Sequence, residues 1–249
     1  MDFKFLTLEQ KDGVATITLN RPDAFNALSL GLGRDLFHAA LEVDENPAVR
    51  CVVVTGAGRA FSSGIDLNAL AAGELKLDWF RHFDEALRRL EQLDALTVAR
   101  IRGYALGGGL QIALACDLRI STPESRFGLP AVLEALIPGM GTYRLPRFIG
   151  LGRARRLVMT GELIGAEEAE RIGLIDWIVP EEKLDQMVQT MITDVMSGSA
   201  AARLYAKRLV TASFESTFDA AFAKYLEYQA ECLLSPDHKL AMAQFRKKK

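Results

Sequence analysis

The chain of 249 residues carries a formal net charge of -2 and is 49% hydrophobic and 25% charged, values typical of a soluble globular domain with a sizeable core. They exclude a generally basic nucleic-acid-binding protein, and we interpret the basic end at residues 246–249 as a solvated terminus. The sequence contains neither a signal-peptide pattern nor an apolar run of about 18 residues, so we predict a cytoplasmic protein with no membrane partner.

The cysteine and histidine patterns give no support for a metal site or a disulfide. Cys51, Cys116 and Cys232 lack any CxxC spacing and lie among apolar residues, which predicts reduced thiols. The histidines are widely separated and form no HExxH pattern. We therefore expect no metal site.

Strand and helix patterns alternate through the first half of the chain. Residues 3–8 and 14–19 alternate apolar and polar side chains around QKDG, which predicts an antiparallel hairpin. The continuous apolar run CVVVTG at 51–56 predicts a strand that is buried on both faces. The remaining predicted elements are helices at about 28–43, 66–72 and 78–93, strands at 97–102 and 118–121, and a glycine-led helix between those two strands.

The second half changes to short helical pieces and then to helices alone. The segment 127–150 is interrupted by prolines and glycines, which predicts short helices joined by fixed turns. Beyond Pro180 the strand signals stop and amphipathic helices follow. We therefore predict an α/β core over residues 1–195 and a C-terminal helical region over residues 196–249.

The predicted helical tail has a wide apolar face. Its large apolar residues are Leu204, Val210, Phe214, Phe222, Leu226 and Leu233. Such a face docks on a partner subunit or packs back on the chain's own core, and the pattern by itself leaves both open.

Two glycine turns, FSSGID at 61–66 and YALGGGLQ at 104–111, each follow a predicted strand. They match neither a dinucleotide fingerprint nor a phosphate loop, and no GxSxG nucleophile elbow is present. Two such turns side by side can each aim one main-chain N–H at a single oxygen and so form an oxyanion hole for a thioester enolate or a tetrahedral anion. The alternative is that both turns are simply tight connections.

Four ordered segments closely resemble the crotonase superfamily, whose best-known members are enoyl-CoA hydratases. They are NRPDAFNAL, AFSSGIDLNAL, IRGYALGGGLQIALACDLRI and IPGMGTYRLPRFIGLGRARRLVMTGELIGAEEAERIGLIDWIV. The resemblance covers essentially the whole chain. It implies an α/β fold with a ββα spiral core, a C-terminal helical region that assembles trimers and commonly hexamers, and an acyl-CoA thioester as substrate. Coenzyme A then enters as part of the substrate, with no separate cofactor.

The resemblance also implies individual site residues. The two N–H donors to the thioester oxygen match Ile65 and Gly108. The expected coenzyme A contacts are Ala24, Asn26, Ala60, Ser62 and, as a basic contact to the nucleotide, Lys248.

The sequence departs from the hydratase pattern at both catalytic glutamates. Gln111 stands at the first position and Ala131 at the second. Glutamine can hold a water but cannot take its proton, and alanine can do neither. Because acid–base groups contribute about 10² to 10⁴ in rate, hydration should be very slow.

Other side chains are candidates for the missing roles. Glu134 lies three residues after Ala131, so on a helix it returns to nearly the same face and can supply an acid or base; the alternative is a solvated glutamate. His82 is expected to be exposed, although it could reach a substrate. The aromatic residues Trp79, Phe80 and Phe83 are expected in the acyl pocket or the core. Tyr104 and Tyr143 are candidates for positioning water, with a buried structural contact as the alternative. Asp66 is expected in a turn or helix cap and Asp117 in a backbone contact.

Three functions therefore stay open on the sequence. The first is an acyl-CoA enzyme that stabilises an enolate and carries out isomerisation, decarboxylation or weak hydration. The second is a catalytically silent acyl-CoA binding protein, and the third is an acyl-CoA thioester hydrolase.

Overall fold

The computed structural model describes residues 2–247. Its strands are β1 Leu6–Lys11, β2 Val14–Leu19, β3 Cys51–Gly56, β4 Leu96–Ile101, β5 Tyr104–Leu106, β6 Leu118–Ser121, β7 Arg126–Gly128, β8 Ile164–Gly165 and β9 Trp177–Ile178. Its α-helices are α1 Leu30–Asp44, α2 Leu67–Ala71, α3 Leu77–Gln92, α4 Gly108–Leu114, α5 Gly141–Ile149, α6 Leu151–Thr160, α7 Ala166–Arg171, α8 Glu181–Ser197, α9 Ala200–Ala212, α10 Phe218–Leu234 and α11 Pro236–Lys247. Short 3₁₀ helices span Pro22–Ala24 and Pro130–Glu134.

The strands form two sheets that the chain visits in turn. Within the described residues, the large sheet has the order β1-β2-β3-β4-β6-β9 and the small sheet the order β5-β7-β8. Strands β2, β3, β4, β6 and β9 are parallel to one another. Each turn places a strand in the large sheet, a short strand or bridge in the small one and then a helix, as in β4, β5 and α4. The resulting spiral stacks the loop after β3 on β5, where Ser62 and Ala105 form a parallel bridge.

Strand β3 is buried on both faces, as its continuous apolar run predicted. Val52 and Val54 belong to the main core under α1 and α3. Cys51 and Val53 point to the opposite face and pack against α8. Burial raises the pKa of the Cys51 thiol to about 11, which disfavours the reactive thiolate.

The first strand begins later than its sequence pattern predicted. The expected span of residues 3–8 is replaced by β1 at Leu6–Lys11, whose outer residues are largely exposed. Asp12 and Gly13 both have positive φ, 51° and 78°, as a two-residue hairpin turn of type I′ requires. This turn sets the register Leu6↔Leu19 and Lys11↔Val14. On an exposed edge strand the alternation of apolar and polar residues is weak, so the sequence pattern located the start of β1 poorly.

The helical tail contributes little to the core of the single chain. Helices α9 and α10 contain no buried residue, and Phe214 and Phe222 are 66% and 48% exposed. The contacts that hold the tail include the Lys207 ammonium at 2.8 Å from the Asp117 carboxylate. The sequence left open whether the tail packs on the chain's own core or docks on a partner subunit. For α9 and α10, close packing on the core is not observed. Across residues 2–247, none of the helices has the length and apolar character needed to span a membrane.

Candidate active site

The two glycine turns lie side by side and are joined through their main chains. Ser62 N–H donates to the carbonyl of Tyr104 at 2.8 Å, and Leu106 N–H donates to the carbonyl of Ser62 at 3.0 Å. Gly64 has a φ of +96°, and a Cβ on it would lie 2.8 Å from the Leu106 oxygen. Only glycine accommodates this backbone conformation and this close approach at low cost.

Ile65 and Gly108, the two predicted amide donors, line one pocket. Gly108 is the first residue of α4, so its N–H has no acceptor within the helix. In the parallel bridge between Ile65 and Leu28, Leu28 N–H donates to the Gly64 carbonyl and Asp66 N–H donates to the Leu28 carbonyl, so the bridge does not use the Ile65 amide. Among residues 2–247 neither amide donates a hydrogen bond, and both residues line the same pocket. Two unpaired donors that face one cavity can stabilise negative charge on a ligand oxygen.

The rest of this pocket is mainly apolar. Trp79 and Phe83 stack with ring centroids 5.2 Å apart and an interplanar angle of 4°, and Phe80 meets Trp79 edge to face. These three aromatic residues of α3 line the pocket, and a mainly apolar, aromatic lining is typical of small-molecule sites. Leu67, Leu136 and Ile137 complete the apolar lining.

Gln111 is buried in the wall of the pocket with a defined orientation. Its Oε1 accepts a hydrogen bond of 3.0 Å from Gly141 N–H. Because Gly141 supplies a donor, the oxygen of the amide must face it, which leaves the Nε2 donors on the pocket side. Gln111 can therefore donate to a water or to a substrate but takes no proton, as its residue type predicted.

Ala131 and Glu134 both line the pocket from the 3₁₀ helix Pro130–Glu134. A 3₁₀ helix has three residues per turn, so positions i and i+3 are eclipsed. Glu134 thus returns to the face of Ala131, as the offset predicted. Glu134 is nevertheless exposed, so it lies at the rim of the pocket and not in the buried apolar setting that would suit a tuned acid or base.

Sequence reasoning missed Asp84, a second carboxylate in the pocket lining. The buried Arg144 of α5 donates to Asp84 Oδ1 at 3.0 Å and to Glu91 Oε1 at 2.6 Å. A local signal was available, because Asp84 lies four residues after Phe80 and therefore shares its helix face. No local signal marked Arg144 as the partner of Asp84, because four strands, α4 and a 3₁₀ helix lie between α3 and α5 in the sequence.

The expected coenzyme A contacts are only partly accessible. Asn26 and Ser62 are 0% exposed and Ala60 is 1% exposed. The Asn26 side chain accepts from Arg21 N–H at 2.8 Å and donates to the Ala57 and Ala60 carbonyls at 2.9 and 2.8 Å. The expectation of direct contact is therefore corrected for these three residues, because they position the loops from within.

Two further coenzyme A expectations remain as predictions. Ala24 is half-buried at the end of the 3₁₀ helix Pro22–Ala24 and retains accessible surface. Lys248 lies outside the described residues.

The remaining candidates have structural roles or lie away from the pocket. His82 is exposed and outside the pocket lining. Tyr104 meets Phe25 edge to face. Tyr143 donates a hydrogen bond to Glu215, which raises the pKa of the phenol. Asp117 accepts from Thr97 N–H at 2.8 Å and from its hydroxyl at 2.9 Å.

Asp66 is the N-cap residue of α2. It accepts hydrogen bonds from Asn68 N–H at 3.1 Å and Ala69 N–H at 3.2 Å and pairs with Arg21 at 3.0 Å. Partial burial acts to raise the pKa of this carboxyl, but the hydrogen bonds from Ala69 and Arg21 outweigh it and leave the pKa below its ordinary value. Asp66 is therefore a cap, as predicted from its place before the helix.

Comparison with known proteins agrees with the fold and identifies the family. A family model described as enoyl-CoA hydratase/isomerase matches residues 9–249. The chain is 34% identical to the short-chain-enoyl-CoA hydratase of Clostridium acetobutylicum over 255 aligned residues, which cover 100% of this chain and 97% of that protein. It is 32% identical to the crotonyl-CoA hydratase of Syntrophomonas wolfei, with 100% and 97% covered.

Solved structures give the same result for the fold. The enoyl-CoA hydratase from Bacillus anthracis superposes with a TM-score of 0.93 at 31% identity, covering 99% of this chain and 97% of that one. A putative enoyl-CoA hydratase from Streptomyces coelicolor superposes with a TM-score of 0.94 at 34% identity, covering 100% and 93%. The predicted spiral fold with a C-terminal helical region is confirmed.

Proposed function

Because the chain belongs to the enoyl-CoA hydratase/isomerase family of the crotonase superfamily, we propose that it stabilises the enolate of an acyl-CoA thioester through the N–H groups of Ile65 and Gly108. The observations that support this are that neither amide has an acceptor among residues 2–247 and that both residues line one mainly apolar pocket. Main-chain donors suit developing negative charge because they are already oriented and need no reorganisation during the reaction.

The proposed reaction is isomerisation or decarboxylation and not efficient hydration. Hydration needs groups that activate water and deliver a proton to the α-carbon. Gln111 and Ala131 supply neither. A double-bond shift needs at most one proton-transfer group, and in a decarboxylation the departing CO₂ itself leaves the enolate electrons behind.

We further propose that the coenzyme A part of the substrate is the sole cofactor moiety and that the chain assembles as a trimer, with hexamers formed from two trimers. The exposed apolar residues of α9 and α10 support the assembly, since surface patches of this kind mark interaction sites. Ala24 and Lys248 remain the proposed contacts to coenzyme A.

The test of the enolate is exchange of α-protons with D₂O, followed by mass spectrometry of butyryl-CoA after incubation with the protein. We expect deuterium incorporation that depends on the protein, together with conversion of an enoyl-CoA or a malonyl-type thioester. Binding of these thioesters without exchange or conversion would instead identify a silent binding protein. Release of free coenzyme A without exchange would identify a thioester hydrolase.

A further inference from the structure

The pocket that holds the two free amides also contains two carboxylates, and they differ in how firmly they are held. Within the described lining, these are Asp84 on α3 and Glu134 on the 3₁₀ helix. Glu134 is exposed and has no ion pair with any described residue. The side chain of Asp84 is 22% exposed and is fixed by Arg144, whose own side chain is 5% exposed. A group that reacts with a substrate must be held in position. Of the two carboxylates, Asp84 is the one that an ion pair holds in position.

Arg144 uses one oxygen of Asp84 and leaves the other free. Its Nη1 donates to Asp84 Oδ1 at 3.0 Å, while its Nε and Nη2 donate to Glu91 at 2.6 and 3.3 Å. Asp84 Oδ2 lies 3.1 Å from the point that a Cβ on Gly139 would occupy, and both Gln111 Oε1, at 3.0 Å, and Gln111 Nε2, at 3.5 Å, lie near the same point. The space left by the missing side chain of Gly139 thus brings the free carboxylate oxygen beside Gln111 on the pocket side.

We propose that Asp84 is the catalytic residue that moves the proton in a double-bond shift of an uncharged enoyl thioester, an inference that rests on the proposed function. Asp84 Oδ2 takes a proton from C2 of a 3-enoyl thioester. The C2–H bond breaks, and its electron pair moves into a dienolate. The dienolate oxygen accepts hydrogen bonds from the N–H groups of Ile65 and Gly108. The protonated carboxyl returns the proton to C4, the electron pair withdraws from the oxygen, and a 2-enoyl thioester remains. No other reactant is consumed.

The charges around the pocket favour this substrate over a malonyl-type thioester. Asp84 is a carboxylate in the described lining, which includes no basic residue, whereas Glu91 lies outside that lining and pairs with both Arg144 and Arg88. Glu134 adds a further carboxylate at the rim. A substrate carboxylate next to these groups would be repelled, whereas an uncharged acyl chain meets the aromatic wall without penalty. Of the two proposed reactions, isomerisation therefore fits the pocket better than decarboxylation.

The experiment compares Asp84→Asn with the wild type on 3-hexenoyl-CoA, following formation of the conjugated 2-enoyl thioester by absorbance. Asn keeps the shape of the side chain but accepts no proton, so we expect kcat to fall at least about 10²-fold, with KM changed less than about threefold because the aromatic wall is intact. The matched control is Glu85→Gln, which removes the next carboxylate of α3, an exposed one. This control should retain the wild-type kcat.

The other possible results overturn either the role of Asp84 or the proposed function as well. An Asp84→Asn enzyme with a kcat within about threefold of the wild type overturns the proposal. A fall in kcat of about 10²-fold that appears in Glu134→Gln and not in Asp84→Asn also overturns it. A wild type that exchanges the α-protons of butyryl-CoA but leaves 3-hexenoyl-CoA unchanged keeps the proposed function and rejects the role of Asp84. A wild type that is inert in both assays rejects both.

A second variant covers the case in which Asp84→Asn fails to fold, as judged by thermal unfolding. Asp84→Glu keeps the negative charge opposite Arg144 but displaces the carboxylate by one methylene. Because misplacement of a reacting group by about 1 Å can cost up to about 10²-fold, we expect kcat to fall at least about tenfold. An unchanged kcat in this variant would contradict the proposal.

Discussion

Ser62 and Leu106 join the two glycine turns, since Leu106 N–H donates a hydrogen bond of 3.0 Å to the Ser62 carbonyl. The Leu106 oxygen in turn lies 2.8 Å from the point that a Cβ on Gly64 would occupy. Main-chain contacts therefore determine how the segments that carry the Ile65 and Gly108 amides lie relative to each other, with no side chain between them. Any group added at this contact should separate the turns.

Gly64→Ala tests that contact. The substitution places a methyl group against the Leu106 oxygen at a φ of +96°, so we expect the free energy of unfolding to fall by about 1–3 kcal/mol. Displacement of one oxyanion donor should also lower the rate of α-proton exchange by about 10²-fold. The measurements are urea denaturation and deuterium incorporation into butyryl-CoA.

The matched control for this substitution is Gly73→Ala. Gly73 also has a positive φ, +71°, but nothing lies within 4 Å of its Cβ position. This variant should lose about 1 kcal/mol of stability from the backbone conformation alone and retain the exchange rate. Equal effects of the two substitutions would mean that the close approach of the turns is unimportant.

Asn26→Ala tests whether this residue positions the loops from within. The substitution leaves the Arg21 N–H and the Ala57 and Ala60 carbonyls without their side-chain partner, and it places alanine at a φ of 55°. Because each buried unpaired group costs about 1–3 kcal/mol, we expect the free energy of unfolding to fall by about 3 kcal/mol or more. Urea denaturation provides the measurement.

Asn68→Ala is the control for Asn26→Ala, because Asn68 is exposed. Its free energy of unfolding should stay within about 0.5 kcal/mol of the wild type. If Asn26→Ala were equally harmless and only weakened binding of coenzyme A, the residue would be a ligand contact after all.

Gln111→Glu combined with Ala131→Glu tests whether only the acid–base groups of a hydratase are missing. A carboxylate at position 111 can still accept the hydrogen bond from Gly141 N–H. We expect the double variant to hydrate crotonyl-CoA at least about 10²-fold faster than the wild type, measured by loss of the enoyl absorbance. Gln111→Glu alone, the control, should gain less. A folded double variant that binds crotonyl-CoA without any gain would show that the pocket does not hold the β-carbon near these positions.

Asp66→Asn gives a prediction for the pH dependence of stability. The pKa of Asp66 in the folded chain lies below its ordinary value of 3.8, so folding favours the charged form. This contribution is fully present above pH 3.8 and is lost as the pH falls through the lowered pKa. Asn retains the capping oxygen but not the charge, so we expect the variant to be less stable by about 1 kcal/mol at pH 7.

The difference between wild type and Asp66→Asn should shrink as the pH falls below 3.8, measured by urea denaturation at a series of pH values. Asp78→Asn, which removes a 76% exposed carboxylate in the first turn of α3, is the control and should cost less than about 0.5 kcal/mol. A gap for Asp66→Asn that stays constant with pH would contradict the prediction.

The proposed trimer predicts a change of mass when the apolar face of α10 is made charged. Phe218 and Phe222 stack at 5.9 Å and are 80% and 48% exposed in the single chain. We expect the wild type to sediment as three or six chains of 27.4 kDa and the double variant Phe218→Asp with Phe222→Asp to sediment as a single chain. Glu74→Gln, at an exposed position of the core, should leave the assembly intact. A monomeric wild type would reject the trimer.

Local patterns were sufficient wherever a residue's neighbours in sequence decide its environment. The apolar run of β3 predicted a strand buried on both faces, the position of Asp66 predicted its role as a cap, and the offset from Ala131 to Glu134 predicted their shared face. Strand β1 was less well predicted, because an exposed edge strand carries little alternation.

The sequence by itself determined the family, through the residue types and spacing of its motifs, and it placed Gln111 and Ala131 at the two positions where the resemblance leads us to expect glutamates. Only the tertiary structure decided which carboxylate is held in the pocket and which expected ligand contacts are buried. Asp84 depends on Arg144, and Asn26 on the carbonyls of Ala57 and Ala60. These partners lie far apart along the chain, and burial or ion pairing between them exists only once the spiral has closed.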